Sequence, residues 1–240
     1  MSTTSVGALE IAEVTATHGT GPAARLSLAS TSLVVHRGES VAVVGPSGAG
    51  KSTLADVVLG LRAPASGAVT VAGEAWCSPG RRPERARRRL VQGVPQDASA
   101  SFVPRWTLRR SIRHAVRRLT GEHGADADAR IRRAAELAHL DERLLDRRPS
   151  EVSGGQAQRA AIARALAAGP TVLVADEPTS ALDRSTALAV SQALVDLAVE
   201  QDLALLVVTH DPAFAARCAR TATIAPPALA DGRGASRDPR

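Results

Sequence analysis

Hydrophobic and polar residues alternate along two stretches near the start of the chain, Leu9–Val14 and Arg25–Val35, as in strands with one buried face. Five short apolar runs follow, several rich in β-branched residues, and each predicts a further strand. These runs are Ser40–Val44, Val69–Gly73, Leu90–Val94, Thr171–Ala175 and Leu203–Val208. The pattern therefore predicts an antiparallel layer at the N-terminus, followed by a sheet of buried strands.

Apolar residues at helical spacing fill the segments between these strands. Helices are predicted over 52–59, 154–166 and 185–201. A run rich in Ala, Arg and Leu from 97 to 145 predicts a helical insertion, with a polar loop at 121–126. Residues 77–89 are rich in Pro, Gly and Arg and predict an exposed loop with a short basic helix.

Strands that alternate with helices imply a parallel sheet with right-handed crossovers, and polar groups after such strands imply a ligand there. The chain is therefore expected to have an α/β fold. A last strand is predicted within 219–225 and stops at Pro226-Pro227. The residues from 226 to 240 are expected to form a mobile tail.

Composition and length narrow the class of protein. A chain of 240 residues and 24.8 kDa fits one α/β domain, and two cysteines favour a reducing cytoplasm over a disulfide scaffold. No apolar run approaches the roughly 20 residues of a membrane span. The net charge of +6 could indicate nucleic-acid binding, but the chain has only two Phe, two Trp and no Tyr that could stack on bases. We therefore interpret the arginine bias as compositional and expect no nucleic-acid partner.

The most specific motif lies between the strand at 40–44 and the helix at 52–59, and it has the spacing G-x-x-x-x-G-K-[ST] of a phosphate-binding P-loop. Backbone N–H groups and the helix N-terminus can hold phosphates, Lys51 can reach β- and γ-oxygens, and Ser52 can ligate Mg²⁺. Lys51 is the only lysine in the chain. The predicted nucleotide-binding residues are Gly45, Pro46, Ser47, Gly48, Ala49, Gly50, Lys51, Ser52 and Thr53.

Other polar residues follow predicted strands or open a helix. Asp176 and Glu177 follow one buried strand and His210 follows another, whereas Gln96 ends a third. The alternative for Asp176-Glu177 is a helix cap with a first-turn acid, and for His210 or Gln96 an ordinary polar residue. Ser153-Gly154-Gly155-Gln156 opens a helix and can form a second anion site, or it is simply a capped helix start.

Together these motifs resemble those of the nucleotide-binding subunits of ATP-binding-cassette (ABC) transporters over nearly the whole chain. The resemblance implies a P-loop NTPase (RecA-like) core with an N-terminal antiparallel β layer and an inserted helical subdomain. It implies one domain over 1–240, with the core at about 1–96 and 166–225 and the insertion at about 97–165. ATP and Mg²⁺ are the implied substrate and cofactor.

The resemblance also implies roles for single residues. Ser52, Gln96 and Asp176 would bind the metal, and Glu177, His210 and Gln96 would act in catalysis. Residues 153–156 would be the signature that contacts the ATP of a second ABC ATPase subunit, and Asp183 would belong to the D-loop. Implied partners are that subunit, transmembrane permeases and an extracytoplasmic solute-binding protein, with this chain peripheral on the cytoplasmic face of the membrane.

The chain departs from the family pattern at several positions. His18 replaces the aromatic residue that usually stacks on adenine, so either it stacks with less area or it is an exposed loop residue. Pro95 precedes Gln96 where an aromatic is typical, and the C-terminal end looks shortened. The segment 96–105 resembles that of the dipeptide, oligopeptide and nickel importers, although Val103 stands where Asn is common.

This branch implies an importer of a small solute, with a peptide or nickel as the expected cargo. The alternative is a soluble ABC-type ATPase that acts on nucleic acid or ribosomes, motivated by the basic charge. A P-loop kinase is a third possibility, but it would not need the Ser-Gly-Gly-Gln motif.

Overall fold

The computed structural model describes residues 7–19 and 25–227. An antiparallel sheet comprises β1 (Leu9–His18), β2 (Arg25–Val35), β4 (Ser66–Val71) and β5 (Glu74–Cys77), in the order β2-β1-β4-β5. The two alternating runs thus form neighbouring strands, as predicted. β1 continues past the predicted end at Val14 because the register shifts near Glu13, which has a φ of 49°, and the alternation then resumes.

β5 is absent from the predictions, which left residues 74–76 unassigned and began an exposed loop at Cys77. β4 and β5 form a hairpin whose turn residues Ala72 and Gly73 both have positive φ, as a type I′ turn requires. Trp76 is buried, and its indole N–H donates to the carbonyl of Val58 over 2.8 Å. Burial of Trp76 therefore stabilises β5, although the local sequence pattern does not predict a strand there.

The second sheet is entirely parallel. It comprises β3 (Ser40–Val44), β6 (Val91–Val94), β7 (Val172–Asp176), β8 (Ala204–Val208) and β9 (Arg220–Thr223), in the order β6-β7-β8-β3-β9. The parallel sheet contains every predicted core strand from residue 40 onward except one. The exception is the Val69–Gly73 run, which overlaps β4 in the antiparallel sheet. The predicted last strand is also confirmed, because β9 pairs with β3.

Alternate residues of these parallel strands enter two different hydrophobic clusters. Val41 and Val43 pack with the antiparallel sheet and α1 (Lys51–Val58), whereas Ala42 faces α4 (Gly154–Leu166) and α5 (Arg184–Glu200). The sheet is therefore buried on both faces, which explains its apolar runs. This arrangement, together with the P-loop between β3 and α1, confirms the expected fold class.

The remaining helices are α2 (Leu108–Thr120), α3 (Gly124–Leu137) and α6 (Pro212–Ala215). The loop predicted at 121–126 is shorter, because α3 already begins at Gly124. Arg109 at the start of α2 donates to both carboxylate oxygens of Asp146, with distances of 2.8 and 3.1 Å. Short 3₁₀ segments join the elements. They are Arg85–Leu90, Ser99–Ser101, Glu142–Asp146 and Pro149–Glu151.

Among the described residues, no helix is long and apolar enough to cross a membrane. The predicted mobile tail lies outside the described residues from position 228 onward.

Candidate active site

The P-loop takes a backbone path that suits glycine. Gly48 and Gly50 have φ angles of 79° and 98°, in the left-handed region where side chains are strained. A Cβ atom on Gly50 would also lie 2.4 Å from the carbonyl oxygen of Ser27, because β2 packs against the loop. Glycine at position 50 is therefore favoured both by the local backbone conformation and by the close approach of β2.

Lys51 begins α1 with its side chain folded over the loop. Its ammonium group donates to the carbonyl oxygens of Gly45 and Pro46, with N···O distances of 2.9 and 3.0 Å. These contacts hold the positive charge at the mouth of the loop, within reach of a bound phosphate.

A concave pocket of about 350 Å³ lies over the loop. It brings together most of the predicted nucleotide-binding residues with the predicted base Glu177. Its lining residues are His18, Ser27, Ser47, Gly48, Gly50, Lys51, Ser52, Thr53 and Glu177. Ser27 was not predicted, because a serine in an alternating strand carries no signal for a ligand.

Ser52 and Asp176 meet at the edge of this pocket. The Ser52 hydroxyl donates to Asp176 Oδ1 over 3.4 Å. Burial raises the pKa of Asp176, and the neighbouring charge of Glu177 acts in the same direction, against the hydrogen bond from Ser52. A hydroxyl beside a carboxylate fits Mg²⁺ bound mainly through phosphates and water, and the described residues hold no cluster of three His, Cys, Asp or Glu side chains.

Glu177 and His210 follow neighbouring strands, β7 and β8, and they contact each other. Their Oε1 and Nδ1 atoms lie 2.8 Å apart. Glu177 has a φ of 47°, which is uncommon outside glycine, and its N–H donates to the carbonyl of Val208 over 2.9 Å. The Glu177 side chain lines the P-loop pocket.

His18 ends β1 beside the same pocket. Its Nδ1 lies 3.5 Å from a guanidinium nitrogen of Arg62. The ring thus lies near the P-loop, as the adenine prediction requires, but stacking on a base stays a prediction.

The signature residues form a separate site at the start of α4. Ser153 and Gln156 make a reciprocal capping box, with Gln156 N–H donating to Ser153 Oγ (3.3 Å) and Ser153 N–H to Gln156 Oε1 (2.9 Å). They line a pocket of about 510 Å³ with Asp183. Asp183 caps α5, and hydrogen bonds from Ser185 and Thr186 lower its pKa.

The predicted site residues do not all line one pocket. The signature pocket and the P-loop pocket share no residue. Gln96 lines a third cavity, of about 270 Å³, with Gly154 and Gln158, and not the P-loop pocket. Its predicted contact with the metal at Ser52 and Asp176 therefore stays a prediction.

Gln158 lines the same cavity as Gln96 but was not among the predicted site residues. It is buried in α4, and its Nε2 has no hydrogen-bond partner among the described residues. The helical spacing of the apolar residues does not distinguish Gln158 from its neighbours in α4, so the sequence pattern did not identify it.

A P-loop after β3, with a carboxylate pair at the end of β7, which β8 separates from β3 in the same parallel sheet, defines a nucleotide-hydrolysing P-loop protein. The ABC transporter family model matches residues 28–180. The nickel import ATP-binding protein NikE of Escherichia coli strain K12 is 39% identical over 184 residues, covering 77% of this chain and 69% of NikE. NikE of Shigella sonnei matches equally well. The chain therefore belongs to the ABC transporter family.

Solved structures agree with this assignment. The ATP-binding cassette MJ0796, in a dimeric post-hydrolysis state bound to ADP and Pi, is 30% identical with a TM-score of 0.77, covering 90% of this chain and 94% of that one. CbiO1 from Clostridium perfringens has a TM-score of 0.76 at 23% identity, over 91% of this chain and 84% of that one, and supports the fold. The chain is an ATPase that couples ATP hydrolysis to transport.

Proposed function

We propose that this chain is the ATP-binding subunit of an importer, in which two ATPase subunits bind ATP head to tail and drive a small solute through partner permeases. The observation that carries the proposal is the separation of two anion sites within one chain. One site is the P-loop pocket and the other is the signature pocket around Ser153. Two copies in head-to-tail contact would complete each P-loop pocket with the signature of the partner.

The residues of the P-loop pocket suit ATP. The loop N–H groups and Lys51 bind the phosphates, and His18 stacks on the adenine. Ser52, Asp176 and Gln96 would hold Mg²⁺. When bound, the ion would neutralise charge on the phosphates of ATP.

Glu177 acts as the general base in this proposal. Its carboxylate accepts a proton from a water whose oxygen attacks the γ-phosphorus, the bond to the bridging β–γ oxygen breaks, and ADP leaves. His210 orients the Glu177 carboxylate through their 2.8 Å contact and contacts the γ-phosphate. Asp183 positions the D-loop between the two subunits.

A groove beside α2 suits the permease. It has a volume of about 260 Å³ and is lined in part by Val103, Trp106, Ser111 and Arg164. The buried Ser111 hydroxyl has no partner, and Arg164 makes no salt bridge in the described part of the chain, while burial lowers its pKa. A permease segment with a carboxylate and an apolar face would satisfy both polar groups.

Similarity to NikE, a nickel import protein, supports an importer with nickel as cargo. A peptide is the other proposed cargo, and an extracytoplasmic solute-binding protein would deliver either one. In such an assembly the subunit lies peripherally at the cytoplasmic face of the membrane. Nucleic acid has no role in it.

The test is co-expression of the chain with the permeases encoded beside it, followed by affinity purification and reconstitution into vesicles. We expect a stable complex, solute uptake that requires ATP, and loss of uptake with Glu177→Gln but not with Glu200→Gln, an exposed control on α5. ATPase stimulation by DNA or ribosomes, without association with a permease, would favour the soluble alternative and overturn the proposal.

A further inference from the structure

The charge of this chain is concentrated in one short segment. Residues 81–118 carry 12 arginines and two acidic residues, whereas the rest of the chain carries 18 basic and 22 acidic residues. This distribution argues against the compositional interpretation given above, because a bias of composition alone would distribute arginine evenly and would not leave the remainder acidic. Such asymmetry is typical of a surface that binds an anionic partner.

The structure brings the two halves of this segment together. The 3₁₀ segment Arg85–Leu90 lies against α2, and both expose arginine side chains to solvent. We name six of these residues the arginine surface: Arg82, Arg85, Arg88, Arg89, Arg110 and Arg117. Within residues 7–19 and 25–227 none of the six forms a salt bridge, although Arg109 and Arg113 on the same helix do.

We infer that the arginine surface binds the phosphates of anionic lipid headgroups, so that the subunit contacts the bilayer directly as well as its permeases. This inference rests on the proposed function, which brings the chain to a membrane. Guanidinium groups bind phosphate in a bidentate manner, and clustered basic residues near an anionic bilayer each add to the attraction. Without an anionic partner, these like charges only repel one another.

Apolar and aromatic groups beside the arginine surface fit the same partner. The Arg110 guanidinium lies 4.4 Å from the ring centre of Trp106, and the nearby Val103 is 44% exposed. Trp and Arg are residues that favour the boundary between water and lipid. Trp106 and Val103 also line the groove proposed for the permease, so Arg110 borders both surfaces, and a permease seated in the groove would bring the arginine surface close to the bilayer.

The same surface is poorly equipped to bind nucleic acid. The chain contains no Asn, and the side-chain amide of Gln92 donates to the backbone carbonyls of Arg88 and Val91. Of the two tryptophans, Trp76 is buried, and so is Phe102, which leaves few rings for stacking on bases. Base readout and base stacking therefore have few candidates, whereas lipid phosphates require neither.

The experiment is flotation of the full chain with permease-free vesicles, either phosphatidylcholine alone or phosphatidylcholine with about a third phosphatidylglycerol. We expect binding to the anionic vesicles only, with affinity that falls as salt rises. The variant Arg85→Glu/Arg88→Glu/Arg89→Glu should lose at least about tenfold in affinity. The matched variant Arg132→Glu/Arg133→Glu/Arg143→Glu, with the same change of charge on other exposed arginines, should bind much more tightly than the first.

Three results would overturn the inference: no binding of the wild-type chain to anionic vesicles, equal losses in the two variants, or tighter binding to DNA of equal phosphate concentration. ATPase activity and permease association of both variants are measured in parallel. Because these readouts test the proposed function separately, its failure is distinguishable from failure of lipid binding. Salt dependence of the wild-type chain also tests the inference without any variant.

Discussion

The side chains of Glu177 and His210 approach each other to 2.8 Å between Oε1 and Nδ1, although the two residues follow different strands of the parallel sheet. Only 17% of the Glu177 side chain is exposed, compared with 71% for His210. The contact therefore joins a largely buried carboxylate to an exposed imidazole. This contact links Glu177, the proposed base after β7, to His210 after β8. Any shift of β7 relative to β8 would therefore disturb it.

Replacing Glu177 by Gln should reduce ATP hydrolysis by at least about 100-fold, since a general base typically contributes that much. ATP binding should persist, because the amide keeps the shape of the side chain and leaves Lys51 in place. Phosphate release measures the first effect, and size-exclusion chromatography with ATP should detect a trapped dimer with the cognate ATPase subunit. Retention of most of the turnover would remove Glu177 from its role.

Lys51 offers a direct probe of the P-loop, because it is the only lysine in the chain. Bound ATP should slow its acetylation by an amine-reactive reagent at least about tenfold, since the ammonium group would then pair with phosphate oxygens. Mass spectrometry of the peptide that contains Lys51 measures the rate. AMP, which lacks β- and γ-phosphates, is the matched control and should protect little. Equal rates with ATP and AMP would contradict the proposed contact.

Asp176 is expected to lower the stability of the nucleotide-free chain. Its pKa is raised by burial above the ordinary value of 3.8, so its contribution to stability is full below 3.8 and is lost as pH rises through the folded pKa. Asp176→Asn should therefore raise the melting temperature at pH 7 more than at pH 4, while it abolishes hydrolysis. Melts at the two pH values measure this difference, and the reverse order would refute it.

His18 can be tested by substitution in both directions. His18→Tyr should tighten ATP binding by about two- to tenfold, because a larger ring stacks on adenine with more contact, and His18→Ala should weaken it. Titration with a fluorescent ATP analogue measures the affinity. His139→Ala, an exposed histidine after α3, provides the control. Unchanged affinity in His18→Ala would assign His18 to an ordinary surface position.

Two adjacent signature glycines should respond differently to alanine. A Cβ on Gly155 would lie 2.5 Å from Thr186 Cγ2, whereas the nearest atom to a Cβ on Gly154 is 3.5 Å away. Gly155→Ala should therefore reduce the free energy of unfolding by about 1–3 kcal/mol through overpacking between α4 and α5. Gly154→Ala should change it by less than about 0.5 kcal/mol. Urea unfolding compares the two, and equal values would contradict the packing argument.

Local patterns were enough to predict the P-loop, the helix that begins after Ser153, and every strand except β5. These features depend on residues a few positions apart: glycines that permit positive φ, a hydroxyl that caps its own helix, and apolar runs that must be buried. Residue spacing carries such information directly, which is why the motif and the fold class agreed with the structure. β5 escaped prediction because its strand depends on burying Trp76 against α1.

Contacts between distant segments depended on the packed fold. Four such features involve residues far apart in the chain. They are the position of β3 between β8 and β9, the contact of His210 with Glu177, the approach of Ser27 to Gly50, and the cavity that Gln96 shares with Gly154 instead of the P-loop pocket. Their free energy comes from burying both faces of one sheet at once, and no local spacing encodes it. The sequence thus predicted candidate residues for the chemistry, and packing determined which of them meet within one chain.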